Sequence, residues 1–203
     1  MNKFVGFYSN NRRKILIISS LLLVVLFLLP IITTKRMGRN TAYSTKENVA
    51  LYIMQYHEVP QNFITVHGRD YMKNNGISLN GYIIGGDTHA NTGTLASFGV
   101  KSGTALKECD IIGSTYNITG GRGGQRLVYT CNTGNVRVFY SYDHYHTFRE
   151  LTRFELQLAS NILWIVFGCY AIAFIVLIIY LETAKRKTKP SEQIQSLSEQ
   201  IQN

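Results

Sequence analysis

Glu108, Arg122, Arg126 and His144 are the residues whose types and spacing could do chemistry, and that chemistry would be metal-free cleavage of a ribose phosphodiester. One group must take the proton from the 2′-OH and another must protonate the leaving 5′-oxygen. Cations must stabilise the crowded, anionic phosphorane between them. A carboxylate, a histidine and two guanidiniums fill these roles, and the sequence holds no cluster with metal-ligand spacing. Residue types alone leave a second reading open. Strand-borne Glu and Arg commonly form surface ion pairs, and a lone histidine is usually structural.

The elements that must position these residues read as α+β: helices first, antiparallel strands afterwards. Ser44-Thr45-Lys46-Glu47 has the form of a capping box before an amphipathic helix with Val49, Tyr52, Ile53 and Tyr56 on one face. His57 falls in its last turn, and Pro60 lies beyond the stop. A second helix is predicted from Thr65 as cap to Asn74, ended by Asn75-Gly76. Strands are predicted over 82–84, 106–112, 126–130, 136–140 and 142–148, separated by Gly, Asn, Ser and Thr. This places Glu108 on one strand, Arg122 and Arg126 at the start of the next, and His144 on the last.

Two nearly unbroken apolar runs, 15–32 and 162–181, exclude a simple soluble domain. The first is longer than a secretory h-region and ends in Thr33-Thr34-Lys35-Arg36, with no small-x-small cleavage site, so it reads as an uncleaved anchor. The second has Trp164 and Tyr180 near its ends. The net charge of +9 does not mark a nucleic-acid surface, because residues 1–41 carry 7 of the 21 Lys/Arg and no acid. Eight cations near the termini (Lys3, Arg12, Arg13, Lys14, Lys185, Arg186, Lys187, Lys189) stand against six on the loop side, which favours cytoplasmic termini and an extracytoplasmic middle. The tail repeats Ser-Glu-Gln-Ile-Gln with Ile194, Leu197 and Ile201 on one stripe. That is too short for a coiled coil and predicts a frayed polar helix.

The segments VALYIMQYHEVPQNFIT (49–65), IGGD (84–87), KSG (101–103), KECDI (107–111), TGGRGGQRLVY (119–129) and YDHYHTF (142–148) occur in this order. From Val49 to Phe148 the chain resembles the barnase-type secreted bacterial ribonucleases. The resemblance implies helices packed on a twisted antiparallel sheet and a metal-independent endoribonuclease working through a 2′,3′-cyclic phosphate, with no cofactor. It makes Glu108 the general base, His144 the general acid, and Arg122 and Arg126 the phosphate and transition-state cations. Tyr145 becomes the aromatic beside the scissile nucleotide, with His89 and Asn91 in the base-recognition loop. Asp87 matches a structural aspartate under that loop, and His57 a helix-terminal histidine interacting with the helix dipole. The partners implied are RNA, the bilayer and a proteinaceous inhibitor.

The departures from the family lie mostly outside the cleavage residues. Val66 stands at the family's lysine, with His67 beside it as a substitute. Thr92-Gly93 stand in the place of an Arg-Glu pair that grips guanine. These losses keep an alternative in view: a catalytically weakened module that binds RNA or a protein partner at the membrane. Family register sets Glu108 opposite Tyr129, which puts the Cys109 and Cys131 thiols some 10 Å apart at about 3.3 Å per residue, too far to bridge. Cys169 lies inside the second apolar run. The expected organisation is a terminus over 1–14, a span over 15–34, a linker over 35–44 and a ribonuclease-like domain over 45–150. A juxtamembrane stretch over 151–161, a second span over 162–181 and a tail over 182–203 follow.

Overall fold

The computed structural model describes residues 2–201 apart from 115, 132 and 133, with side chains described from 13 to 183 outside those three. The tail stripe of Ile194, Leu197 and Ile201, and the side chains of Lys3, Arg12 and the cations from 185 to 189, lie outside that description. The chain forms two compact units: Lys35–Gln157, and a helical unit from the two chain ends.

In the helical unit, α1 spans Asn2–Thr33 and α4 spans Leu158–Ile201. Their apolar windows, Arg13–Thr33 and Leu158–Thr183, have mean hydropathies of 3.2 and 2.9, yet only 6% and 0% of each is buried. A core helix of a soluble protein would hide such surface. Both helices are long and apolar enough to cross a bilayer. They touch through Phe27, which packs 5.9 Å from Trp164 and 5.5 Å from Phe167. The Pro30 carbonyl accepts from the Thr34 hydroxyl at 2.7 Å and from the Ser160 hydroxyl at 3.0 Å. The same carbonyl also accepts the Thr34 N–H at 3.0 Å.

In the other unit, α2 spans Lys46–Tyr56 and buries Val49, Tyr52 and Ile53. The capping box does not form. The Asn62 amide brackets both backbone groups of Tyr43, Thr45 becomes the cap residue without a side-chain bond, and Glu47 falls too early in the first turn to reach back. Glu47 pairs with Lys46 instead, at 3.2 Å. His57 closes α2 in the left-handed region at φ 63° and donates its N–H to Ile53. The segment read as a linker packs on this helix: Met37 is buried, and its carbonyl accepts from Tyr56 Oη at 2.7 Å. Helix α3 spans Val66–Asn74 with Thr65 capping through Gly68 N–H, as the sequence predicts.

Six strands follow in spatial order β1 to β6: Phe63–Ile64, Ile83–His89, Leu106–Asp110, Arg126–Thr130, Val138–Ser141 and Arg149–Leu151. The sheet is mixed rather than antiparallel, because β1 pairs with β2 in parallel. Helix α3 supplies the crossover such a pair needs. Residues 142–148 are a turn, not a strand. Ser141 Oγ takes the Tyr145 N–H and Asp143 takes the Thr147 N–H, so side chains outcompete a ladder there.

Strand alternation gives the sheet two different faces. Cys109, Ile111, Leu127, Tyr129 and Val138 point toward Val49, Ala50 and Ile53 of α2 and form the main core. Leu106, Val128 and Phe139 point the other way and pack with Leu95 and Val100. Glu108 and Asp110 share that second face. The observed register sets Glu108 opposite Val128 and Cys109 opposite Leu127, one residue from the family-implied pairing. A carboxylate opposite Tyr129 would have been driven into the main core, so the slip is the register that keeps Glu108 out of it. Cys109 is buried and Cys131 exposed, and both are free thiols.

Candidate active site

The second face of the sheet carries the candidate site, with the Leu106–Val128–Phe139 cluster as its floor. Spacing of two residues on β3 brings Glu108 and Asp110 to the same side. Asp110 is fully buried and pairs in register with Arg126. Arg122, in the loop before β4, donates Nε and a terminal nitrogen to Asp110, both at 2.8 Å. Arg126 Nε lies 3.1 Å from Asp110 Oδ1 but its N–H is not aimed there, which leaves a buried donor without a partner. Arg126 instead donates a terminal nitrogen to the Gln125 carbonyl at 2.9 Å. One carboxylate and two guanidiniums leave a net positive charge, of which the solvent-facing part belongs to Arg122, at 27% exposure, rather than to the covered Arg126.

Tyr145 is the hub of the site. Its hydroxyl donates to Glu108 Oε2 at 2.9 Å. Its ring lies 4.9 Å from the His144 ring, 4.8 Å from the His89 ring and 5.9 Å from the Arg126 guanidinium carbon. Burial and the adjacent Glu108 charge push the Tyr145 phenol well up, so it remains a donor. His89 Nδ1 meets the same Glu108 oxygen at 2.5 Å, with both side chains mostly covered. Burial alone would raise the Glu108 pKa. The bonds from His89 and Tyr145, the charge of the His89 ring when protonated and the Arg122 charge outweigh burial and hold it below the ordinary value.

His144 sits not on a strand but in the β5–β6 turn, exposed, with φ 57°, followed by Tyr145 at φ 75°. Two consecutive left-handed residues without glycine are costly and need outside support. It comes from His144 N–H to the Gly124 carbonyl at 2.9 Å, Tyr145 N–H to Ser141 Oγ at 2.8 Å, and Thr147 Oγ1 to Asp143 at 2.7 Å. Gly124 admits this turn because a Cβ there would meet the Tyr142 carbonyl at 3.0 Å.

The remaining candidates are spread around this centre. Asp87 accepts the Val66 N–H at 3.0 and 3.2 Å, placing a carboxylate at the start of α3, where the dipole favours it. Asn91 ties its loop down by donating to the Lys101 and Thr104 carbonyls at 3.0 and 3.3 Å. His57 is exposed at the end of α2, and His67 is exposed on the first turn of α3. Sequence reasoning did not find Asp110 as the counter-ion of both arginines. Its signal was the two-residue spacing from Glu108 inside KECDI. Nor did it find that His89, read as a substrate-binding residue, is the partner of Glu108.

No protein-family model matches the chain, and no curated protein matches it.

Proposed function

We propose that this chain is a membrane-anchored endoribonuclease that cleaves single-stranded RNA by transphosphorylation. The observation that carries the reading is the Tyr145-centred cluster, in which an acceptor pair (Glu108–His89), an exposed histidine (His144) and the Arg126 guanidinium lie around one ring, with Arg122 joined to Arg126 through Asp110. The acceptor pair takes the 2′-OH proton, and O2′ attacks the 3′-phosphate. Arg122 and Arg126 stabilise the phosphorane, and His144 protonates the departing O5′. The product is a 2′,3′-cyclic phosphate, which the same groups hydrolyse with their roles reversed. Every step draws on a side chain already in the cluster, so the reading needs no cofactor and implies that a chelator leaves the rate unchanged.

The two apolar helices anchor the domain in this reading, with the site outside the cytoplasm and both termini within. The cation bias between the two sides supports that orientation. A second reading, a module that binds RNA without cutting it, draws on Val66 at the lysine position and on Asp110 taking two of the Arg122 donors. The experiment is to incubate the full chain in detergent micelles with an RNA oligonucleotide, and with a copy carrying one 2′-deoxy linkage. Cleavage with cyclic-phosphate ends, absent at the deoxy linkage, is the expected result. Binding without cleavage would favour the second reading.

A further inference from the structure

Glu108 is not the only proton acceptor in the cluster. Both donors it binds end on Oε2, while Oε1 takes no hydrogen bond among the described residues. His89 Nε2 makes none either. Among the described residues, Arg126 Nε is the one unpartnered side-chain nitrogen or oxygen sealed from solvent. Glu108 Oε1 and His89 Nε2 are therefore unpartnered but not sealed, and two atoms compete for the same proton.

We propose that His89 Nε2 takes the 2′-OH proton, with Glu108 acting through it by holding the Nδ1–H on Oε2; this rests on the ribonuclease reading. In the neutral ring the 2.5 Å contact sets the tautomer, since a carboxylate acceptor places the proton on Nδ1 and leaves the lone pair on Nε2. The ring is also held in place, tilted 42° against Tyr145 at 4.8 Å. Glu108 is the poorer base of the two. Two donors and a nearby guanidinium hold its pKa down, away from the working pH where proton transfer is most effective.

The step balances with the groups present. The O2′–H bond breaks and its proton goes to Nε2, while O2′ bonds to phosphorus. The P–O5′ bond breaks, and O5′ takes a proton from the His144 imidazolium. In the hydrolytic half His144 takes a proton from water and the His89 imidazolium returns one to O2′, which restores both rings.

The groups facing His89 are Glu108 from β3 and Tyr145 from the β5–β6 turn, with His144, Arg122 and Arg126 beyond them. Lys107 lies on the opposite face of β3, and β1 carries no charge. Helix α3, packed against β2, holds His67, Arg69, Asp70 and Lys73, of which Arg69 and Asp70 pair at 2.8 Å. Asp87, two residues away on β2, is turned to the Val66 N–H, and among the described residues Glu108 is the carboxylate that bonds the imidazole.

The test is the pH profile of kcat/KM for the full chain in detergent micelles, measured on one dinucleotide at one salt concentration, with His89→Gln and His89→Phe beside it. Gln keeps a donor for Glu108 without basicity, and Phe keeps the stack on Tyr145 should Gln disturb the fold. The expected wild-type profile is a bell whose acid limb lies above the carboxylate range, over about pH 5. Both variants should lose about 10²–10⁴ in rate and that limb with it. A wild-type acid limb below about pH 5, in the carboxylate range, would overturn the assignment to His89 while leaving the ribonuclease reading intact. A Gln variant within about threefold of wild type at every pH would do the same. Absence of wild-type cleavage at any pH would overturn both.

Discussion

Asp110→Asn is the substitution that most directly probes how the cation pair is held. Asp110 is fully buried and receives two Arg122 contacts at 2.8 Å, with Arg126 Nε at 3.1 Å. Asparagine keeps the shape and one acceptor but removes the charge. The Arg126 side chain, 3% exposed, then remains as a buried cation without a counter-ion, whereas Arg122, at 27%, can turn to water. Breaking a buried pair from one side costs about 3–5 kcal/mol, and the relief available to Arg122 puts this case near 3. For a unit of this size each kcal/mol moves the melting temperature by about 3–5 °C, so the expected fall is about 9–15 °C. The assay is the thermal transition of the full chain in micelles followed by near-ultraviolet circular dichroism, which reports the tyrosines packed in the β-sheet unit. Asp70→Asn is the control, because its pair with Arg69 has a half-exposed carboxylate and should cost at most about 1 kcal/mol. A shift for Asp110→Asn no larger than the control's would refute the claim that Asp110 neutralises a buried pair.

Gly85→Ala should destabilise by about 3 kcal/mol or more, since a Cβ there would stand 2.4 Å from Cys109 Cβ and 2.7 Å from Phe63 Cδ1 in a rigid part of the core. Urea titration reads this directly, and a loss under about 1 kcal/mol would contradict it. Tyr145→Phe removes the hydroxyl bond to Glu108 and should let that carboxylate rise toward its ordinary value of 4.5. A depressed folded-state pKa stabilises above the unfolded value and loses that contribution as pH falls through the folded one. The stability gap between wild type and Tyr145→Phe should therefore narrow below about pH 4.5, and a gap constant from pH 7 to 3 would argue against the bond. With Thr92-Gly93 in the recognition loop and Asn91 committed to backbone carbonyls, cleavage of GpA, ApA and UpA should differ by less than about 10²-fold. A GpA preference of about 10⁴ or more would mean that another residue grips the guanine edge.

The sequence carried the elements well where pattern and packing agree. Helix α3 has the boundaries that Thr65 and Asn75-Gly76 predict, and β4 spans the predicted 126–130. It misled where a local signal had a tertiary competitor. Ser44–Glu47 reads as a capping box, yet Asn62, distant in sequence, sets the helix start one residue later. Residues 142–148 alternate like a strand, yet Ser141 and Asp143 side chains take the N–H groups a strand would have paired. The parallel β1–β2 pair rests on a two-residue strand, too short to leave a pattern. Of the candidate site, Glu108, Arg122, Arg126 and His144 were legible from residue types and Tyr145 from the resemblance alone. The bond from His89 to Glu108 was not, because β2–β3 register decides it, and a bulge at Gly85–Asp87 shifts that register.

The most direct measurement of the central claim is the cleavage rate of one RNA oligonucleotide by the full chain and by His144→Ala, side by side, with the products' ends identified. His144 is exposed on a turn with its ring 4.9 Å from that of Tyr145, so the thermal transition of both proteins is measured beside the rate to separate lost chemistry from lost fold. The account expects cyclic-phosphate products from wild type and a rate about 10²–10⁴ lower in the variant. Equal rates in the two proteins, or products without cyclic phosphate at any time point, would contradict it.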